Sequence, residues 1–184
     1  MPVQLHLGCG KRHIPGFVHI DLDDFPHIDY RSSIDKLPMF ANDAADLIYC
    51  SHAFEYFDSV QAPAVLAEWR RVLKPGGLLR LAVPDFEALV SVFRKSGDLE
   101  QILGPLFGRM EIQAPEGGRT LYHRTAYDFA SLEKMCLQAG FRSLRRYEWR
   151  QSVHKDYDDH SQAYVPHMDK ERGELISLNV EALK

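Results

Sequence analysis

Short apolar runs alternate with helical patterns along most of this 184-residue chain. The predicted strands are Val3–Leu7, Phe17–Leu22, Ala45–Cys50, Leu78–Val83, Arg142–Trp149 and Ile176–Leu183. The predicted helices are Pro63–Leu73, Phe86–Lys95 and Ala126–Ala139. Leu78–Val83 is almost wholly apolar, as is typical of a parallel strand buried on both faces. The alternation therefore predicts an α/β fold, with a mostly parallel sheet between two layers of helices.

Composition favours one globular domain spanning residues 1–184, because 45% of the residues are hydrophobic and 26% are charged. The net charge of −4 weighs against nucleic-acid binding. No apolar run is long enough to span a bilayer, and the N-terminus lacks a signal-peptide pattern. The three cysteines show no paired spacing, so we expect neither disulfides nor a metal site, and a reducing cytoplasm is the simplest setting.

Ligands of open α/β sheets bind beyond the carboxyl ends of the strands. This topology selects the polar residues that follow each predicted strand, before any motif is considered. The selected positions are Gly8–Gly10, Asp21–Asp24, Ser32–Asp35, Cys50–Glu55 and Pro84–Asp85.

The first of these positions is a glycine turn within the sequence LHLGCG. Glycine has no Cβ, so a ligand can approach this backbone closely. A dinucleotide fingerprint would need a third glycine where His13 stands, and an acid about twenty residues further on. Asp21 lies closer to the glycine turn than this spacing requires. Its carboxylate can still accept hydrogen bonds from both hydroxyls of a ribose. The pattern thus favours a nucleoside site of another kind over a nicotinamide site.

Four segments in this order carry a resemblance to a known family: LHLGCG, HIDLDD, DLIYCSHAFEYF and EWRRVLKPGGLLRLAVPD. Together they resemble the class I S-adenosylmethionine-dependent methyltransferases, particularly the type 11 group, over roughly residues 3 to 150. The resemblance implies a Rossmann-like, doubly wound sheet of seven strands, mostly parallel, with an antiparallel last strand. It also implies S-adenosylmethionine as the cofactor.

The family's roles transfer by position. Gly8, Cys9 and Gly10 would contact the methionine part of the cofactor. Asp21 would bind the ribose hydroxyls, with Leu22 against the adenine. The remaining implied cofactor residues are Ser33, Ile34 and Asp35, which would flank the adenine, and Ser51 and His52, at the methionine end and the substrate entrance.

Two departures from the family pattern stand out. Only KRHIPGF separates Gly10 from the next strand, so the usual crossover helix is nearly absent. We expect that face of the site to be thinly covered, and lids or a second subunit of a homodimer to complete it. In addition, Ser33 stands where the family has an acid, with Asp35 two residues later. The adenine could therefore be read by Asp35, by a serine or by the backbone alone.

Methyl transfer from a sulfonium is an in-line displacement, so the protein must mainly align the acceptor and exclude water. A general base helps when the acceptor is a hydroxyl or an amine. His52 and His123 are the candidate catalytic residues. Asp85 is better explained as a helix N-cap and Tyr127 as a packing residue, and Glu55 could simply cap or solvate a helix start. The cysteines are interpreted as small buried residues.

Two stretches, near residues 99–123 and 151–174, are expected to be irregular substrate or lid segments. The basic and aromatic residues of the first could hold an anionic or sugar-like acceptor; they are Arg109, Arg119, Tyr122, His123 and Arg124. The second stretch is rich in Asp and His, and we expect it to be solvated rather than to bind a metal. EWRR and RRYEWR are expected to pack their aromatic residues inward rather than to contact nucleic acid.

The leading hypothesis is a methyltransferase that acts on a small-molecule acceptor, with sugars and polysaccharide precursors as a candidate class. The alternative is a non-catalytic module of the same fold that binds S-adenosylmethionine or a nucleoside. A nicotinamide oxidoreductase is a third hypothesis, and the missing third glycine counts against it.

Overall fold

The computed structural model describes residues 2–184; Met1, the first residue of the predicted domain, lies outside the described residues. The elements are, in order, β1 (Gln4–Leu7), β2 (Val18–Asp21), β3 (Tyr30–Arg31), β4 (Ala45–Ser51), α1 (Ala62–Val72), β5 (Leu73–Pro84), α2 (Phe86–Ser96), α3 (Glu100–Phe107), β6 (Arg109–Ala114), β7 (Gly117–Tyr122), α4 (Phe129–Gln138), β8 (Ser143–Arg146), β9 (Tyr164–Val165), β10 (Glu174–Leu175) and β11 (Ser177–Leu183).

Seven of these strands form one sheet in the order β3-β2-β1-β4-β5-β11-β8. The pairings from β3 to β5 are parallel, whereas β11 runs antiparallel to both of its neighbours. The strand order reverses between β1 and β4, which places a ligand-binding crevice at the carboxyl ends of these strands. The predicted Rossmann-like fold with an antiparallel last strand is confirmed.

One face of the sheet is apolar and is covered by helices. Val65, Leu66 and Trp69 of α1 and Leu132 of α4 pack on inward-facing strand residues in the main hydrophobic core. The helix predicted at Pro63–Leu73 is observed as α1, and it ends where Leu73 adopts an extended conformation. The predicted stop at Lys74–Gly77 lies within β5, whose pairing with β4 shifts register there.

The other face is more polar and is covered by the segment of residues 149–162. Tyr49 of β4 stacks on His154 with ring centroids 3.9 Å apart, and its hydroxyl donates to the Asp159 carboxylate. Asn179 of β11 donates to the Ser161 carbonyl at 2.8 Å. Two 3-10 turns, Trp149–Gln151 and His160–Gln162, supply the helical structure of this layer.

This covering segment compensates for the short connection between β1 and β2. Residues 8–17 form turns, as expected from their sequence, and Ile14 and Phe17 join Tyr49 in a small apolar cluster beside Tyr157. Arg12 donates to the Asp158 carbonyl at 2.7 Å. The connection itself covers little of this face, as expected, and the covering segment lies largely within the stretch predicted to supply a lid, residues 151–174. The homodimer stays a prediction, and the need to cover this face no longer supports it.

The expectation that the Asp- and His-rich stretch is solvated is wrong for two of its residues. His154 is fully buried, and Asp159 is 2% exposed. Burial lowers the pKa of His154 to about 4, so its imidazole is neutral and packs as an aromatic ring. Towards its end this stretch also contains β9 and β10, which pair antiparallel.

The stretch near residues 99–123 is regular rather than a loop. It contains α3 and a hairpin in which β6 and β7 pair antiparallel over six residue pairs. Most of the hairpin is exposed and only Ile112 and Ala114 are buried, which explains the weak apolar pattern. Two further boundaries differ from the prediction: α4 begins at Phe129 because Asp128 caps it, and β8 ends at Arg146.

We expect Tyr49→Phe to lower the free energy of unfolding by about 1.5–3 kcal/mol, because a buried carboxylate loses a hydrogen bond from its only tyrosine partner among residues 2–184. Urea denaturation followed by circular dichroism measures this change. Tyr30→Phe, at a tyrosine that is 40% exposed, is the control and should change stability by less than about 0.5 kcal/mol. Equal effects of the two substitutions would contradict the proposed role of the contact.

Candidate functional site

A cavity of about 360 Å³ lies at the carboxyl ends of β1, β2 and β4. All ten residues to which the resemblance assigns cofactor contacts line it: Gly8, Cys9, Gly10, Asp21, Leu22, Ser33, Ile34, Asp35, Ser51 and His52. They come from four separate chain segments, which the parallel sheet brings to one edge. The structure thus brings the predicted residues together, while their individual contacts with a cofactor stay predictions.

The glycine turn after β1 is shaped by close packing. Gly8 has φ of +64°, and a Cβ at this position would overlap the Cβ of Ala53. Gly10 also has a positive φ of +52°, but a Cβ there would meet nothing within 4 Å. Gly8 is therefore required by the protein's own packing, whereas Gly10 leaves open space on the cavity side.

Asp21, at the end of β2, closes this turn. Its two carboxylate oxygens accept hydrogen bonds from the backbone N–H of Gly10 at 2.7 Å and of Asp23 at 2.8 Å. Each carboxylate oxygen has two lone pairs, so one lone pair on each remains to accept a hydroxyl proton. The geometry suits a vicinal diol, which is the feature that a ribose presents.

The loop after β3 forms the opposite wall, and α1 holds it in place. Trp69 donates its indole N–H to the Ile34 carbonyl at 2.7 Å, and Glu68 accepts from the backbone N–H of Leu37. Ser33 donates to Asp35 within the loop, so both residues of the altered family position face the same cavity. The inward packing expected for EWRR is observed, since Trp69 is fully buried.

Cys9 lies between the two glycines but is not activated. Its side chain is 2% exposed, and its sulfur lies 3.9 Å from Nε2 of His27. Burial, with the nearby Asp21 carboxylate, raises the pKa of Cys9 to about 12. A thiol that stays protonated at neutral pH is a weak nucleophile, as the sequence interpretation expects.

His52 follows β4 in a left-handed conformation with φ of +51°. Its Nε2 lies 2.9 Å from the Ser177 hydroxyl, and its ring makes an edge contact with His160. Burial, with the nearby charges of His160, His123 and Arg12, holds the pKa of His52 well below its usual value. The imidazole is therefore neutral at physiological pH and retains a lone pair.

Glu55 brings the two candidate bases together. This glutamate is fully buried, and its Oε1 lies 3.5 Å from Nδ1 of His52 and 3.6 Å from Nε2 of His123. Burial raises the pKa of Glu55 to about 8 and lowers that of His123. The sequence interpretation that Glu55 caps or solvates a helix start is wrong, because the side chain points into the interior.

A second cavity, of about 930 Å³, adjoins the first. His52, Tyr56, Arg12, Met110 and His160 line both cavities, whereas His123 lines only the second. Its size falls in the range of small-molecule sites. The two stretches expected to shape the acceptor site, near 99–123 and 151–174, supply most of its wall.

The structure divides the basic and aromatic residues that were suggested to hold an acceptor. Arg119 and Arg124 line the first cavity, Arg109 and His123 line the second, and Tyr122 lines neither. Sequence reasoning missed Arg12 and His160 as site residues. Their positions depend on the covering segment, which has no local sequence signal.

The other candidates have structural roles. Asp85 caps α2 by accepting from the backbone N–H of Glu87, as predicted, and Tyr127 packs on Phe54. Among residues 2–184, no group of three or more metal-binding side chains is placed to hold a metal ion. Over the same residues, no helix is both long and apolar enough to cross a membrane.

Comparison with known proteins agrees with this geometry. The family model Methyltransf_11, described as a methyltransferase domain, matches residues 16–81. No curated protein matches the chain. The resemblance of the chain to the class I S-adenosylmethionine-dependent methyltransferases of the type 11 group, which its motifs predict, is confirmed.

Solved structures show the same fold at low identity. A S-adenosylmethionine-dependent methyltransferase from Archaeoglobus fulgidus is 14% identical with a TM-score of 0.59, and the match covers 100% of this chain and 86% of that one. The 1,6-didemethyltoxoflavin N1-methyltransferase from Burkholderia thailandensis, solved with 1,6-didemethyltoxoflavin and S-adenosylhomocysteine, is 13% identical with a TM-score of 0.57 and coverages of 100% and 71%.

We expect Gly8→Ala to destabilise the protein more than Gly16→Ala. Both glycines have positive φ, so both substitutions cost about 1–2 kcal/mol of backbone strain. Only at Gly8 does the new Cβ overlap a neighbour, which adds about 1–3 kcal/mol. Thermal unfolding of the two variants measures the difference, and equal losses would show that the close packing against Ala53 is relaxed.

The raised pKa of Glu55 makes stability depend on pH. Between its ordinary value of 4.5 and about 8, the folded state keeps a proton that the unfolded state has lost, so the free energy of unfolding falls as pH rises. The buried histidines are common to the wild type and Glu55→Gln, so their titration is expected to cancel in a comparison of the two proteins. From pH 6.5 to 8 the wild type should therefore lose stability relative to Glu55→Gln, by up to about 1.4 kcal/mol per pH unit.

Urea denaturation of the wild type and Glu55→Gln at pH 6.5, 7.2 and 8 tests this dependence. A constant difference between the two proteins across these pH values would mean that Glu55 ionises normally. Glu87→Gln, at an exposed glutamate, is the control and should follow the wild type.

Proposed function

We propose that residues 1–184 act as one S-adenosylmethionine-dependent methyltransferase domain with a small-molecule acceptor. The observation that carries the proposal is the lining of the first cavity, where ten residues from four segments meet in the positions that the resemblance assigns to the cofactor. Asp21 supports it most directly, since its carboxylate is oriented by two backbone N–H groups and keeps lone pairs for two hydroxyls.

The cofactor would be held along the cavity from β1 to the loop after β3. Gly10 offers open space for the methionine part, Asp21 faces the ribose, and Leu22 and Ile34 supply apolar surface for the adenine. Ser33 and Asp35 offer a hydroxyl and a carboxylate for the adenine edge. When bound, S-adenosylmethionine supplies an electrophilic methyl group on a positively charged sulfur.

The acceptor would bind in the second cavity and reach the methyl group past His52 and Tyr56, which line both cavities. The chain's contribution is to align the acceptor and exclude water. The Burkholderia thailandensis neighbour was solved with bound 1,6-didemethyltoxoflavin and S-adenosylhomocysteine. For this chain, sugars and polysaccharide precursors are the candidate acceptor class, because aromatic and hydrogen-bonding side chains line the cavity together.

Calorimetric titration with S-adenosylmethionine, S-adenosylhomocysteine and NAD tests the cofactor. We expect the first two to bind and NAD not to bind, because the connection after Gly10 has no helix N-terminus for a pyrophosphate. Asp21→Ala should weaken binding at least tenfold through the lost ribose contacts, about 1.4 kcal/mol or more. Asp24→Ala, which changes a neighbouring exposed carboxylate outside the cavity, should bind as the wild type does.

The outcomes separate the competing functions. Absence of binding by both sulfur compounds would contradict the proposal, and binding of NAD alone would favour an oxidoreductase. Tight binding of S-adenosylmethionine without turnover across panels of sugar, amine and carboxylate acceptors would favour the non-catalytic alternative. Circular dichroism of Asp21→Ala checks that its turn has not simply unfolded.

A further inference from the structure

The hydrogen-bond chain at His52 determines which of its nitrogens carries a proton. The Ser161 carbonyl can only accept, so Asn179 donates to it through its amide nitrogen and accepts through its amide oxygen. Ser177 donates its hydroxyl proton to that oxygen at 2.9 Å. The Ser177 oxygen therefore accepts from Nε2–H of His52, and Nδ1 of the neutral ring presents a lone pair to Glu55.

The same reasoning applies to His123. Its Nδ1 lies 2.9 Å from the Pro105 carbonyl, which can only accept, so the proton of the neutral ring is on Nδ1. Nε2 then presents a lone pair to Glu55. A Cβ on Gly108 would overlap this ring, so the glycine allows His123 to occupy its position.

The two neutral imidazoles thus offer Glu55 no N–H group, and its own backbone N–H, which is near enough to oppose the rise in pKa, completes no hydrogen bond with the carboxyl group. Neither of its carboxylate oxygens has a hydrogen-bond partner among residues 2–184. An ionised carboxylate there would be a buried charge without compensation, which is costly. A single proton within the group of Glu55, His52 and His123 removes that cost, whether it sits on the carboxyl group or on one imidazole.

We propose that Glu55, His52 and His123 share one proton, and that Glu55 is the positioning residue through which the two imidazoles take up the proton of a hydroxyl or amine acceptor. The proposal rests on the proposed function and deepens it. A second proton gives the group two N–H donors, one on each ring, whose nitrogens lie 3.5 and 3.6 Å from Oε1 of Glu55, so proton uptake supplies the carboxylate with donors that the resting state lacks.

Methyl transfer forms one bond to the methyl carbon and breaks one. A lone pair on the acceptor oxygen or nitrogen forms the bond to the methyl carbon, and the carbon–sulfur bond breaks with its electron pair left on sulfur. The acceptor's O–H or N–H proton is taken up by the group of Glu55, His52 and His123, whose two rings line the second cavity. From there it leaves to solvent.

The surroundings support a shared proton. Burial raises the pKa of Glu55, and burial, with a smaller contribution from the Glu55 carboxyl group, raises the pKa values of Cys50, Tyr56 and Tyr127 around it. On the other side, His160 and Arg12 face His52 and oppose its protonation, while Asp158 and Asp159 face His160. Cys50, Tyr56 and Tyr127 ordinarily ionise above neutral pH, so among the groups around Glu55 the two imidazoles are the ones that can exchange a proton with it near neutral pH.

Nitrogen NMR of the imidazole rings tests the shared proton without any ligand. Titration of the 15N-histidine-labelled wild type from pH 5 to 9.5 should show both rings changing together, with one midpoint near 8. In Glu55→Gln this common transition should vanish, with the proton fixed on Nε2 of His52 and Nδ1 of His123. Single His52→Asn and His123→Asn variants assign the signals, and Glu87→Gln is the control that should retain the transition.

Separate midpoints in the wild type, or the same transition in Glu55→Gln, would overturn the proposal. The wild-type result stands even if a variant fails to fold.

Calorimetry links the shared proton to the methyl donor. At pH 8, S-adenosylmethionine binding measured in buffers of different ionisation enthalpy should release protons, because a positive sulfur near His52 disfavours a further positive charge. S-adenosylhomocysteine, which lacks that charge, should release fewer, and Glu55→Gln should abolish the difference between the two compounds. A difference that persists in Glu55→Gln would overturn the proposed role, whereas failure of both compounds to bind would instead contradict the proposed function.

Discussion

The contact of Tyr49 with His154 and Asp159 is the interaction on which the site depends. A parallel crossover without a helix would leave one face of β1 and β4 exposed to water. The segment of residues 149–162 covers this face. It stacks the His154 imidazole on the Tyr49 ring and accepts a hydrogen bond from the Tyr49 hydroxyl through Asp159. This docking also places Asp159 and His160 at the strand ends, where they line both cavities.

The first cavity is built by mutual support between short segments. The turn after β1 is held by the Asp21 carboxylate, and Gly8 allows that turn to pack directly on Ala53. The loop after β3 has little structure of its own, and Trp69 fixes it through the Ile34 carbonyl. Because each wall is held by a different strand or helix, the cavity exists only when the whole sheet has formed.

The buried carboxylate of Glu55 has no hydrogen-bond partner for either oxygen among residues 2–184. Isolated buried charges are rarely tolerated, and their pKa values shift until the group becomes neutral. Here the nearest polar atoms are two imidazole nitrogens whose other nitrogens are engaged by Ser177 and Pro105. Such arrangements of perturbed titratable groups beside a cavity are characteristic of functional sites.

Much of the fold and of the first cavity could be predicted from the sequence, because the information is local. Apolar periodicity located β1, β4 and α1 closely and the second half of β5, and the rule that ligands bind at the ends of parallel strands selected Gly8–Gly10 and Asp21. The β6–β7 hairpin was missed because it is mostly exposed and carries only a faint alternating pattern.

By itself, therefore, the sequence determined the order of the main strands of the sheet and of three helices, the glycine turn and the acid beside it, since these follow from residues close together in the chain. Only the tertiary structure decided that His154 would be buried against Tyr49 and that Glu55 would lie between His52 and His123. The physical reason is that burial and proton sharing arise from contacts between distant segments. No local pattern of residues predicts which distant segments will be in contact.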